Sequence, residues 1–194
     1  MTDSFPRLAS PFYFVRHGVT DHNQVHLVMG QRDIPLNGEG QRQARRAAHV
    51  LEGRGIRTVV SSPLARARET AEIIAVVLGV PVIPEPAFME RAWGIYEGRN
   101  RILRPLYNDP AGGETWQQFA DRTLAGLNRM NAATVIVAHN GTCRVLRYHL
   151  RVPGADDTVP NASPLYYEHK DHEWREQTII MMATKPAFGP GHPT

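Results

Sequence analysis

The apolar positions of this chain fall into short unbroken runs separated by stretches with helical spacing. Phe12 to Val15, Thr58 to Val60 and Thr134 to Ala138 are β-prone runs without polar alternation. That is the pattern of strands buried on both faces of a parallel sheet. Ala44, Ala47, Ala48 and Leu51 recur on one helix face, as do Ala67, Ala71, Ile74 and Leu78, and then Trp116, Phe119, Thr123, Leu124 and Leu127. The spacing predicts helices from Asn37, a good N-cap, to the GRG at Gly53, from Pro63 to Gly79, from Glu114 to Met130, and from Thr142 to Leu150. Val80 to Ile83 reads as a short strand that Pro81 and Pro84 confine to an edge. Strands near Ser163 to His169 and Gln177 to Ala183, with the charged KDHEWRE between them, predict a hairpin. Gly30 to Leu36 reads as a loop, Pro86 to Gly113 as irregular, and 1–11 and 185–194 as loose termini. The expected fold is α/β: one domain, a three-layer α/β/α sandwich with a mainly parallel sheet and an antiparallel edge.

The first strand ends in chemistry. In FYFVRHGVTDHN, Phe12 to Asn23, the apolar run stops and releases Arg16, His17 and Gly18 in succession. Ligands of open α/β sheets bind beyond the carboxyl ends of strands, which is where these residues would stand. Arg16 offers a planar fork for phosphate or carboxylate oxygens, and His17 is a nucleophile, acid, base or metal ligand. Gly18 allows a close turn. Taken alone, an Arg-His pair is more often a structural ion pair beside a capping histidine. His139 leaves the end of TVIVA as His17 leaves the first strand, and Arg66 follows the strand ending at Ser61. A phosphate monoester carries close to two negative charges, so its site needs donors and positive charge on several sides. Arg16, Arg66 and His139 are candidates for both.

Four stretches in order carry a resemblance: RHGVTDHN from Arg16, SSPLARARETA from Ser61, FMERAWGIYEG from Phe88 and VIVAHNGTCRVL from Val135. Together they resemble the histidine phosphatase superfamily, or phosphoglycerate mutase-like family, over about Phe12 to Leu150. The resemblance implies the same three-layer sandwich. It implies that His17 takes the phosphoryl group, that Arg16, Arg66 and His139 cradle its oxygens, and that Asn23 adds a neutral donor. Glu90 would protonate the leaving alkoxide and then activate water, while Glu97 would be structural. Gly30, Gln31 and Asn140 fall in the expected phosphate-binding shell, and Arg91 and Arg101 where mutases carry basic substrate contacts. No metal and no cofactor are implied. Two departures stand out. Asn140 follows the second histidine where the family commonly has glycine, and only Arg99 to Asp109 occupies the region of a longer, arginine-bearing mutase insert, leaving Arg101 and Arg104 as inward cations. The resemblance therefore points to a phosphatase acting on phosphate monoesters of a small metabolite. The alternatives are a phosphoglycerate mutase and a non-catalytic phospho-ligand binder.

Composition narrows the remaining classes. Hydrophobic content of 42% and charged content of 21% suit a soluble globular chain of 194 residues. No apolar run approaches the ~20 residues of a membrane-spanning helix, and MTDSFPRLASP lacks the basic-then-apolar pattern of a signal peptide, so the cytoplasm is expected. The formal charge of +3 is scattered, with no basic stripe or interleaved aromatics, so no nucleic-acid partner is expected. The expected partner is a small phosphorylated metabolite, with a homodimer left open. The chain holds 20 Arg against 2 Lys, and only the arginines inside motifs count as evidence. Nine histidines include no HExxH pattern and no zinc spacing. The single cysteine, Cys143, can form no internal disulfide and reads as a buried helix residue.

Overall fold

The computed structural model describes residues 10–105 and 107–180. Strands β1 (Phe12–Arg16), β2 (Thr58–Ser61), β3 (Val82–Pro84), β4 (Thr134–Ala138), β5 (Pro164–Lys170) and β6 (Glu173–Thr178) form one sheet in the order β3-β2-β4-β1-β5-β6. The first four are parallel, and the β5-β6 hairpin pairs antiparallel to β1. The strand period of two turns Phe12 and Phe14 to one face and Tyr13 and Val15 to the other. One cluster packs Phe12, Phe14 and Ile136 against Leu127 of α4 (Trp116–Leu127) and Leu146 of α5 (Asn140–Leu150). The other packs Tyr13, Val15 and Val137 against Leu51 of α2 (Gly38–Leu51) and Ile74 of α3 (Ala65–Leu78). Each fully buried large apolar side chain contributes roughly 1.5–3 kcal/mol, so helices on both faces stabilise the sheet. The three-layer α/β/α arrangement is as expected, and β3 lies at the edge its prolines require.

Four local features differ from the sequence pattern. A short helix α1 (Asp21–Gln24) follows β1, started by a capping box between Thr20 and Asn23 with no apolar periodicity to announce it. KDHEWRE is not the hairpin loop. Only Asp171 and His172 turn, both left-handed (φ 53° and 64°), and β6 begins at Glu173. A two-residue turn of that hand matches strand twist, and an outer edge strand accommodates charges in water. The α4 helix is shorter than expected, because Thr115 and Gln118 cap it and Glu114 turns back to accept from the Ala92 N–H. The α5 helix starts two residues early, with His139 as its N-cap, which frees the Gly141 N–H from helical pairing. The expected loose termini lie outside the described residues apart from Ser10 and Pro11, as does the end of the second hairpin strand expected over 177–183.

Two glycines bring α2 against the turn after β1. A Cβ on Gly18 would stand 2.5 Å from the Gly40 carbonyl oxygen, and one on Gly40 would stand 2.1 Å from that of Val19. Gly40→Ala therefore pushes backbone against backbone and is expected to destabilise the fold by about 1–3 kcal/mol. Gly38→Ala, whose Cβ meets nothing nearer than Arg42 Nη1 at 3.8 Å, is expected to be neutral or stabilising by up to about 1 kcal/mol. Denaturant unfolding measures both, and equal stabilities would remove the close approach as a constraint.

Candidate active site

Three neighbouring strand ends converge. Register pairs Arg16 with Ala138, so His17 and His139 emerge side by side, with the His17 N–H donating to the Ala138 carbonyl at 2.9 Å. Their ring centroids are 5.3 Å apart. From the end of β2 comes Ser62, whose hydroxyl lies 2.8 Å from His139 Nε2. Behind His17, Asn161 Nδ2 donates to its carbonyl oxygen at 2.8 Å.

The His17 ring has a defined tautomer. Its Nδ1 lies 2.7 Å from the Gly18 carbonyl oxygen, and a carbonyl can only accept, so the proton sits on Nδ1 and Nε2 keeps its lone pair. At 2% exposure, burial drives its pKa well below the usual histidine value, and the positive charges of Arg66 and Arg16 push it further down. Burial does the same to His139, again aided by Arg66. Both rings are neutral near pH 7. His139 thus stands behind His17 as a fully buried neutral ring that does not line the cleft, its Nε2 facing Ser62 and its Nδ1 buried without a hydrogen-bond partner.

The charge comes from two arginines. Fully buried Arg66, in the first turn of α3, donates from Nη1 to the Arg32 carbonyl and from Nη2 to that of Gly30, both at 2.8 Å. Arg16 donates from Nη1 to the Val159 carbonyl at 2.7 Å. Carbonyls fix these forks without neutralising them, and each Nε is left unpartnered. Burial lowers both pKa values to about 10, which leaves both guanidiniums charged at neutral pH.

Glu90 completes the cleft, which is also lined by His17, Arg16, Arg66, Asn23 and Gly30. Its carboxyl accepts from the Arg91 N–H at 2.8 Å and the Gly141 N–H at 3.2 Å. A Cβ on Gly141 would stand 2.1 Å from Glu90 Oε1, so any side chain there would displace the Glu90 carboxyl. Arg122 holds the preceding backbone through the carbonyls of Ala87, Met89 and Glu90.

Other expected site residues are placed unequally. Asn23 lines the cleft while its Oδ1 caps α1 through the Thr20 N–H. Gly30 lines it at φ 55°, and Glu97 ties that turn down by accepting from the Gln31 and Trp93 N–H groups. Arg101 and Asn140 also line it. The Asn140 side chain accepts from the Val159 N–H at 2.9 Å, which steadies the carbonyl that anchors Arg16. Two further expected residues, like His139, do not line the cleft. Arg91 lies outside the cleft, because its buried guanidinium clamps Asn108, Asp109 and the Glu114 carbonyl and stacks 4.5 Å over Trp93. Gln31 also lies outside, with its amide donating to the Glu90 carbonyl at 3.1 Å.

The sequence reading passed over Ser62, Asn161 and Arg144. Arg144 carried a signal, standing one helical turn after Asn140 on the same face. The loop residue Asn161 carried none. Cys143 is buried, with its thiol pKa raised to about 11, so it is a protonated core group. Among the described residues no group of three or more His, Cys, Asp or Glu side chains is placed to hold a metal, and no helix is long and apolar enough to cross a membrane.

Comparison with known proteins agrees with this geometry. Residues 12–180 match the histidine phosphatase superfamily (branch 1). Over 174 residues the chain is 34% identical to the uncharacterized phosphatase PhoE of Bacillus subtilis, covering 83% of this chain and 89% of that protein. It is 42% identical over 114 residues to the probable phosphoglycerate mutase GpmB of Serratia proteamaculans, a match spanning 59% of this chain but only 51% of that one. A mycobacterial glucosyl-3-phosphoglycerate phosphatase, solved with VO3, superposes with a TM-score of 0.74 at 28% identity, over 88% of this chain and 98% of the other. The family match over residues 12–180, with a relative 34% identical along most of both chains, shows that the chain belongs to the histidine phosphatase superfamily.

Proposed function

We propose that the protein is a cytoplasmic, metal-independent phosphatase that hydrolyses phosphate monoesters of a small metabolite through phospho-His17. The observation that carries this reading is the Nδ1–H bond of His17 to the Gly18 carbonyl, which leaves Nε2 unprotonated beside Arg16 and Arg66. Nε2 attacks phosphorus, the ester P–O bond breaks, and the leaving oxygen takes its proton from Glu90. Water then loses a proton to Glu90 and attacks phosphorus, the P–N bond breaks, and neutral His17 returns with free phosphate. Arg16 and Arg66 stabilise charge on the phosphoryl oxygens in both steps. A mutase must hold water off its phosphoenzyme. Among its described residues the segment beside the mouth forms the short turn Arg101–Leu103, with Ile102 85% exposed, which favours a phosphatase over a closed mutase site.

Acid quench of wild type with labelled substrate is expected to trap one acid-labile phosphoryl group per chain, and His17→Ala to trap none and lose turnover. Near-normal turnover in His17→Ala would end the mechanism. With 3-phosphoglycerate, isomer formation outrunning phosphate release by orders of magnitude would favour the mutase that GpmB suggests.

Glu90→Gln keeps the shape but cannot transfer the proton. Alkyl phosphate turnover is expected to fall by roughly 10²- to 10⁴-fold. The pre-steady-state burst with an aryl phosphate, whose leaving group needs less protonation, should fall less. Equal losses would make Glu90 structural.

The buried neutral histidines also set an acid limit on stability. The folded-state pKa values of His17 and His139 are lowered, so as pH falls below about 6.5 the unfolded chain takes up protons that the native chain refuses. Each contributes a stability loss of up to ~1.4 kcal/mol per pH unit in that window, fully absent above it. Unfolding free energies at pH 7.5, 6.5 and 5.5 are expected to fall with pH in wild type and less steeply in His17→Ala. Identical slopes would mean that His17 is not held neutral.

A further inference from the structure

The cleft does not end at the phosphoryl pocket. It continues outward into a solvent-open groove, with Arg101, Arg104, Arg144 and Thr158 lining both parts. Arg16 and Arg66 match the charge of a bound phosphoryl group. Three guanidiniums remain, facing only Glu90 and Asp156 among the carboxylates that line the two parts.

Two of those guanidiniums are fixed in place, and the carboxylate opposite Arg144 engages it only loosely. Arg144 is only 5% exposed, and its Nε has no hydrogen-bond partner; Asp156 Oδ1 stands 3.4 Å away, on a side chain that is 61% exposed and shared with the Tyr107 hydroxyl. Arg104 lies 4.3 Å over the Trp93 ring with its own Nε buried and unpartnered. Burial lowers the Arg104 pKa, and the charges of Arg144 and Arg101 lower it further, while Glu90 opposes them. Cationic forks with unused donors at a cleft wall are receptors for a planar or tetrahedral oxyanion. Along α5, Arg144 stands four residues, about 6 Å, beyond Asn140.

We infer that this outer cleft binds a second anionic group of the substrate, a carboxylate or a second phosphate, through Arg144 and Arg104 with Arg101 at the rim. The inference rests on the phosphatase reading and names its substrate class: small phosphomonoesters with a second oxyanion several bonds from the first. Thr158 and Asn140 would meet polar groups between the two ends.

Matched pairs of probes test this. Glucose 6-phosphate and 6-phosphogluconate differ in a carboxylate, whereas fructose 6-phosphate and fructose 1,6-bisphosphate differ in a phosphate. Wild type is expected to favour the anion-bearing member of at least one pair by about tenfold or more in kcat/KM, the scale of one charged hydrogen bond, and the pair with the larger preference identifies the oxyanion. Arg144→Gln is expected to lower that preference about tenfold through KM, and Arg144→Lys to lower it less. Asp156→Asn, at an exposed position, is expected to raise it by removing the competing carboxylate. Hydrolysis of p-nitrophenyl phosphate with no preference within either pair would overturn the second subsite alone, as would a preference that Arg144→Gln leaves unchanged. Release of phosphate from none of these esters would overturn the phosphatase reading and this inference with it.

Discussion

The pairing register of β1 against β4 is the constraint on which the site depends. Because side chains alternate faces along a strand, a slip of one residue would send the entire apolar set of β1 to the wrong layer. Phe12 and Phe14 are committed to one core and Tyr13 and Val15 to the other, so the register is fixed by burial along the whole strand. The catalytic geometry inherits that precision. With Arg16 opposite Ala138, the next residue on each strand is a histidine, and the two rings meet at 5.3 Å.

Burying two guanidiniums beside those rings opposes folding, since each charge loses water and repels the other. The structure offsets this by giving the forks backbone carbonyls as partners, from Gly30, Arg32 and Val159. A carboxylate in their place would have neutralised the site before a phosphate arrived. Carbonyl dipoles orient the cations and leave their field available. The same field holds His17 in its unprotonated form, so one arrangement both activates the nucleophile and receives the charge of the group it attacks.

Arginines elsewhere do different work. Arg122 clamps the backbone before Glu90, Arg91 secures the 108–114 segment, and Arg147 pairs with Glu176 between α5 and the edge hairpin. These three close on carboxylates or several carbonyls at once. Arg16, Arg66, Arg104 and Arg144 instead retain unpartnered Nε atoms. What separates a structural arginine from a cleft arginine here is therefore how completely its donors are used. Residue type and position in a motif do not make that distinction.

The sequence by itself determined the layers and the strand ends. Unbroken apolar runs favour a sheet buried on both faces, and residues that follow such runs emerge at one rim, which is where Arg16, His17 and His139 stand. Glycine and proline punctuation marked most helix ends because backbone sterics act locally. What only the tertiary structure decided was the allocation of polar donors. Arg91 and Gln31 sit in the right motifs, yet their hydrogen bonds are consumed by loops distant in sequence. Arg144, Ser62 and Asn161 reach the site because separate strands and loops meet there. The neutral states of His17 and His139 depend on burial and on charges up to 123 residues away in sequence, counting from Arg16 to His139, which no local pattern encodes.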